Sequence, residues 1–147
     1  MRPGLLRSCL FTPADRWKVL KKAWVSNTDC MIIDMEDATA ALESVKLQAR
    51  ENVRQFFDEE VATVRKDGRE ELHPDVVVRV NDPLTTPWGR GDIESIASLS
   101  SPPTACLLPK AQNIAEIEAI GRDMPSSIAL WVMIFQSVSI QTQVTVR

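Results

Sequence analysis

Five short, nearly continuous apolar runs constrain this chain more than any other feature: Leu5 to Phe11, Asp29 to Asp34, Asp75 to Val80, Thr104 to Leu108 and Ile128 to Ile134. Runs of this kind are the mark of strands covered on both faces. Between them the apolar positions recur at helical spacing. Trp17, Leu20, Ala23 and Trp24 fall on one face of the segment 14–24, with Thr12 or Asp15 as the expected cap. Val45, Ala49, Val53, Phe56, Phe57 and Val61 do so in 42–61. Asp92, Ile93, Ile96, Ala97 and Leu99 predict a short helix, and Asn113 followed by Glu116 predicts a capped helix reaching Ile120–Gly121. No hairpin signal joins the strands, so the expected class is α/β with right-handed crossovers. This pattern alone leaves an open sheet and a piece of a closed barrel both standing. The first strand is not followed by a glycine-rich phosphate fingerprint, which argues against a dinucleotide fold.

The strand ends carry the chemistry. Cys30-Met31-Ile32-Ile33 breaks into Asp34, Glu36 and Asp37, which is three carboxylates within four residues at the mouth of a buried strand. Hard oxygen donors in such a place suit a cation, or water held by one. The third strand ends in Arg79 and Asn81, and the fourth in Pro109-Lys110. A planar guanidinium pairs with a carboxylate at two points, so Arg79 points to an anionic, carboxylate-bearing substrate. Function gathered from several strand ends at one rim is how a (β/α)8 barrel builds its site.

At 147 residues the chain is read as one domain. Lys plus Arg is 17 against 20 for Asp plus Glu, a formal charge of −3 that gives no support for nucleic-acid binding. No stretch approaches the roughly 20 apolar residues of a membrane span, and no signal peptide is evident, so a cytoplasmic location is expected. Cys9, Cys30 and Cys106 lie far apart in the chain and are expected as buried free thiols. His73 reads as a loop residue, and Trp88 as the one tryptophan placed to line a site.

Four segments in order carry a family likeness. They are 7–16 (Arg7-Ser8-Cys9-Leu10-Phe11-Thr12-Pro13-Ala14-Asp15-Arg16), Asp34-Met35-Glu36-Asp37-Ala38, Arg79-Val80-Asn81 with Thr86-Pro87-Trp88-Gly89, and Leu108-Pro109-Lys110. Together they resemble the citrate lyase beta-subunit-like group of the HpcH/HpaI aldolase superfamily, which also holds malyl-CoA and related acyl-CoA lyases. The likeness covers residues 5 to 134. It implies a TIM (β/α)8 barrel, here an N-terminal portion of about five β/α units. It implies a Mg²⁺-dependent carbon–carbon lyase or aldolase acting on the acyl-CoA ester of a hydroxy acid, or on a related oxo acid. Carried over by position, Arg79 and Asp37 are the catalytic residues. Arg79, Asn81, Arg16 and Lys21 (with Lys22 as its alternative) bind substrate, the last two at the CoA phosphates. Glu36 and Asp37 face the metal through water.

The chain departs from the family after its fifth strand. A glutamate that ligates the metal directly is expected there, and this sequence reads Phe135. Residues 135–147 diverge, alternating polar and apolar where a helix is expected, and read as a strand or an unstructured tail. A complete barrel takes about 250 residues. The alternative expectation is therefore an inactive, truncated barrel that acts, if at all, as a binding or interaction protein. Such an open wall is expected to be poorly stable or to associate as a homo-oligomer.

Overall fold

The fold was obtained as a computed structural model that describes residues 6–134 and 142–146. Five parallel strands run in sequence order: β1 Cys9–Pro13, β2 Cys30–Asp34, β3 Asp75–Arg79, β4 Ala105–Leu108 and β5 Ala129–Ile134. Between them lie α1 Trp17–Trp24, α2 Glu43–Phe56, α3 Ala62–Lys66, α4 Gly89–Ala97 and α5 Ile114–Asp123. A sixth strand, β6 Thr142–Val146, pairs antiparallel with β5 from Leu130↔Val146 to Ile134↔Thr142. Of the two readings of the tail, the strand is the one found over Thr142–Val146.

The order never reverses, so the sheet has no switch point of the kind a doubly wound fold uses. All helix-borne core residues share one cluster with Met31, Ile33, Val76, Val78, Val80, Cys106, Leu108, Leu130 and Val132. The alternate strand positions Cys30, Ile32, Val77, Ala105, Leu107 and Trp131 form a second cluster made of strand residues alone. Helices thus cover one face and strand side chains pack on the other, an arrangement consistent with part of a TIM-barrel-like fold. The period-2 alternation of strands is why two apolar faces come from one continuous run.

Four expectations shift. The first strand sits later than its apolar run, because its register with β2 pairs Cys9↔Cys30 through Pro13↔Asp34. Pro13 is tolerated since β1 is the outer strand, where a missing N–H costs no interior ladder bond. Helix α1 opens at Arg16 without a side-chain cap, so neither Thr12 nor Asp15 serves as one. The helix expected over 42–61 breaks into α2 and a π-turn at Phe57–Val61, where the Ala62 N–H donates to Phe57 O. The wider turn lets adjacent Phe56 and Phe57 both bury fully, their rings edge-to-face at 5.9 Å. The Asn113 cap forms as expected, its side chain accepting from the Glu116 N–H at 3.0 Å. Contrary to expectation, Cys9 is exposed, while Cys30 and Cys106 are buried.

Candidate active site

The carboxylate rim is built by β2 and β3 as a register pair. Asp34 lies opposite Arg79, and both side chains leave the sheet on the strand-only face. Arg79 Nε donates to Asp34 Oδ1 at 2.8 Å and Nη2 donates to Oδ2 at 2.6 Å. The same two oxygens accept the backbone N–H groups of Glu36 at 2.9 Å and Ala38 at 3.0 Å. Asp34 is therefore saturated, and it fixes both the arginine and the acidic turn. Phe11 of β1 packs its ring 5.0 Å from the Arg79 guanidinium carbon. Burial opposes the charge on Arg79, but the hydrogen bonds to Asp34 and the fields of Asp34, Glu36 and Asp37 outweigh it and raise the pKa.

The remaining edge of the guanidinium meets the other carboxylates. Arg79 Nη1 lies 3.0 Å from Glu36 Oε2 and 3.9 Å from Asp37 Oδ2. Lys110 Nζ sits between them from the far side, 2.8 Å from Glu36 Oε1 and 3.3 Å from Asp37 Oδ1. Lys110 reaches there from a left-handed backbone at φ 54°, costly for a residue with a Cβ. The hydrogen bond to Glu36 is the main reason its pKa is raised. Glu36 Oε2 is buried and held by the charge of Arg79 Nη1 without a directional hydrogen bond. Asp37 is the solvent-facing carboxylate, its side chain 62% exposed.

Behind this turn lies a second polar layer. Lys46 of α2 is 2% exposed and donates to Met35 O at 2.6 Å and Glu36 O at 2.8 Å. Burial pulls its pKa down, against Asp92, Asp34, Glu36 and Asp37, which push it up. Asn81 Nδ2 donates to the same Met35 O at 2.9 Å and to Asp92 Oδ2 at 2.7 Å. Asp92 in α4, fully buried, also accepts from Arg50 Nε at 2.7 Å. Asn81, expected at the substrate, is thus buried and engaged within the scaffold. Arg16 is exposed at the rim end of α1, whereas Lys21 lies further along that helix with Nζ 2.9 Å from Glu60. His73 is half-buried and stacks on Trp24 at 4.3 Å. The position read as Phe135 lies outside the described residues.

Lys46, Arg50 and Asp92 escaped the sequence reading. For Lys46 a signal existed: at 46, 49, 53 and 56 it continues the buried stripe of Ala49, Val53 and Phe56. A lysine on an inner stripe calls for a partner. Arg50 and Asp92 meet across 42 positions of sequence, which no local pattern encodes.

A groove of about 900 Å³ lies at the opposite end of the sheet, against Thr104, Ile117, Met124 and Ile128. The chemistry, rather than the volume, locates the site. Among the described residues no group of three His, Cys, Asp or Glu side chains converges to hold a metal ion. Asp37, with its solvent-facing oxygens, and Glu36, paired to Arg79 and Lys110 beside it, fit the narrower role of holding metal-bound water. No helix of the described residues is long and apolar enough to cross a membrane.

A family model for HpcH/HpaI aldolase/citrate lyase matches residues 7–129. Proteins named (3S)-malyl-CoA thioesterase from strains of Cereibacter sphaeroides are 32% identical over 127 residues, covering 86% of this chain. The crystal structure of RipC from Yersinia pestis superposes with a TM-score of 0.57 at 27% identity, over 84% of this chain. The chain spans 39% of the length of those thioesterases and 44% of the RipC chain.

Proposed function

This chain belongs to the HpcH/HpaI aldolase/citrate lyase family, and from that premise we propose that its rim binds the carboxylate of a hydroxy or oxo acid, carried as a CoA thioester, for carbon–carbon bond cleavage or formation. The observation that carries this reading is the two-point grip of Asp34 on Arg79. It presents a fixed, permanently charged guanidinium at the strand exit, with its Nη1 edge turned toward Glu36 and Asp37. A substrate carboxylate docks on that edge and on Lys110, each of which then exchanges one internal contact for one to the substrate. Asn81 acts by orienting the rim through Met35 O and Asp92.

Glu36 and Asp37 would hold the waters of a divalent ion, and Mg²⁺ bound there would supply Lewis acidity to a substrate carbonyl. The chain's own groups supply the rest. Arg79 orients the acid, and Asp37, the exposed carboxylate of the rim, accepts a proton or a water hydrogen bond at its outer oxygen. Arg16 meets the CoA phosphates, and Lys21 joins it by leaving Glu60. The names of the relatives support a CoA thioester over a free acid. In this reading the sheet is part of a (β/α)8 wall, and the protein works in the cytoplasm, alone or as a homo-oligomer.

A second reading, an inactive binding protein, is favoured by one observation: the described residues contain no complete set of direct metal ligands. The discriminating experiment is isothermal titration of Mg²⁺, with and without oxaloacetate, after size exclusion has fixed the mass. Magnesium-dependent oxo-acid binding that disappears in Arg79→Met supports the enzyme reading. Absence of binding by the folded chain supports the second.

A further inference from the structure

We infer that Lys46 is a positioning residue, whose ammonium holds the Glu36–Asp37 turn in its binding geometry and ties it to the loop after β3. The inference rests on the reading of the rim as the binding site and names how that site is kept in shape. Lys46 is 2% exposed, and both of its hydrogen bonds go to backbone carbonyls, Met35 O and Glu36 O, not to a carboxylate. A buried cation spent on carbonyls is expensive unless it organises something. What these carbonyls flank is the turn that carries the acidic pair.

The remaining side of the ammonium faces the Trp88 ring, 5.4 Å away. Trp88 is itself held by the same helix. Its Nε1 donates to Glu43 Oε2 at 2.6 Å, and its carbonyl accepts from Arg50 Nη2 at 2.8 Å. Glu43, Lys46 and Arg50 stand at i, i+3 and i+7, one stripe of α2. That stripe grips the acidic turn with its middle member and the β3 loop with the outer two. Met35 O closes the circuit, because it also accepts from Asn81 Nδ2. The acidic turn and the arginine strand exit are thereby one mechanical unit, with Lys46 at the joint.

The test compares the full chain with Lys46→Met, which keeps the length of the side chain and removes the donors. Lys66→Met, on the exposed end of α3, controls for loss of a charge. Amide hydrogen exchange is read at Glu36, Ala38 and Thr39, whose N–H groups close the turn onto Asp34 and Glu36 O. Exchange there should quicken about tenfold in Lys46→Met, with the β3 and β4 amides unchanged, and Mg²⁺ affinity by calorimetry should fall about tenfold or more. Unaltered turn exchange in a folded Lys46→Met overturns the inference, as does uniform acceleration at every amide. Should that variant not fold, the lysine ammonium resonances of the wild-type chain decide. A Lys46 signal that shifts on adding Mg²⁺ with oxaloacetate supports a positioning role, and one that stays fixed while binding is saturated refutes it. If the wild-type chain binds neither probe, the proposed function fails while the exchange pattern still judges Lys46.

Discussion

Asp34 and Arg79 occupy register-paired positions on neighbouring parallel strands, and their side chains close two hydrogen bonds of 2.8 and 2.6 Å at the rim of the sheet. Their side chains are 1% and 10% exposed, so each charge depends chiefly on the other. Removing one partner of such a pair costs about 3–5 kcal/mol, while replacing both by apolar groups is far milder. Arg79→Met should therefore lower stability in urea by that amount. The double variant Asp34→Leu/Arg79→Met should regain most of it without regaining oxo-acid binding. A single variant as stable as the wild type would contradict the pairing.

Gly89 is required by close approach. A Cβ there would clash with Asn81 O and lie 2.5 Å from the Pro83 backbone. Gly89→Ala must push α4 off the β3 loop, at about 1–3 kcal/mol of overpacking. Thermal unfolding should show the loss, and oxaloacetate binding should weaken with it, because Asn81 and Trp88 move as well. An unchanged melting temperature would show that the loop yields freely.

Lys110 supplies a pH test. Its folded-state pKa is raised, first by the hydrogen bond to Glu36, so its contribution to stability is complete below the unfolded lysine value of about 10.4. That contribution disappears as pH rises through the folded value. The stability difference between wild type and Lys110→Met should stay constant from pH 7 to about 10 and shrink above it. Lys110 is half-exposed, so added salt should reduce the difference at every pH. A difference that grows with alkalinity would reverse the assignment.

The thiols should separate by burial. Cys9 is exposed on the outer strand, whereas Cys30 and Cys106 are buried. Burial pushes the Cys106 thiol up to about 12 and raises that of Cys30 as well. An aromatic disulfide reagent at pH 8 should release one equivalent rapidly from the native chain and three after denaturation. Two rapid equivalents would mean that the edge formed by β1 and β2 opens.

How much was legible follows from the range of each signal. Strands β2 to β5 and the Asn113 cap depend on neighbours within a few residues, and their expected positions hold to within a residue or two. The first strand slid because pairing with Cys30–Asp34, not its own apolar run, sets where it begins. The π-turn at Phe57–Val61 arises because two adjacent phenylalanines must both reach the core, a demand that helical periodicity cannot express.

By itself, the sequence determined an α/β chain with carboxylates and cations at its strand exits, because alternation, apolar continuity and capping are local properties of a polypeptide. Only the tertiary structure decided which charges meet. Asp34 and Arg79 are 45 positions apart, Lys110 and Asp37 are 73 apart, and Lys46 reaches the acidic turn from a helix whose stripe predicts burial but not partner. Register and crossover geometry choose those partners, since electrostatic contact depends on distance in space, and the folded sheet alone sets that distance.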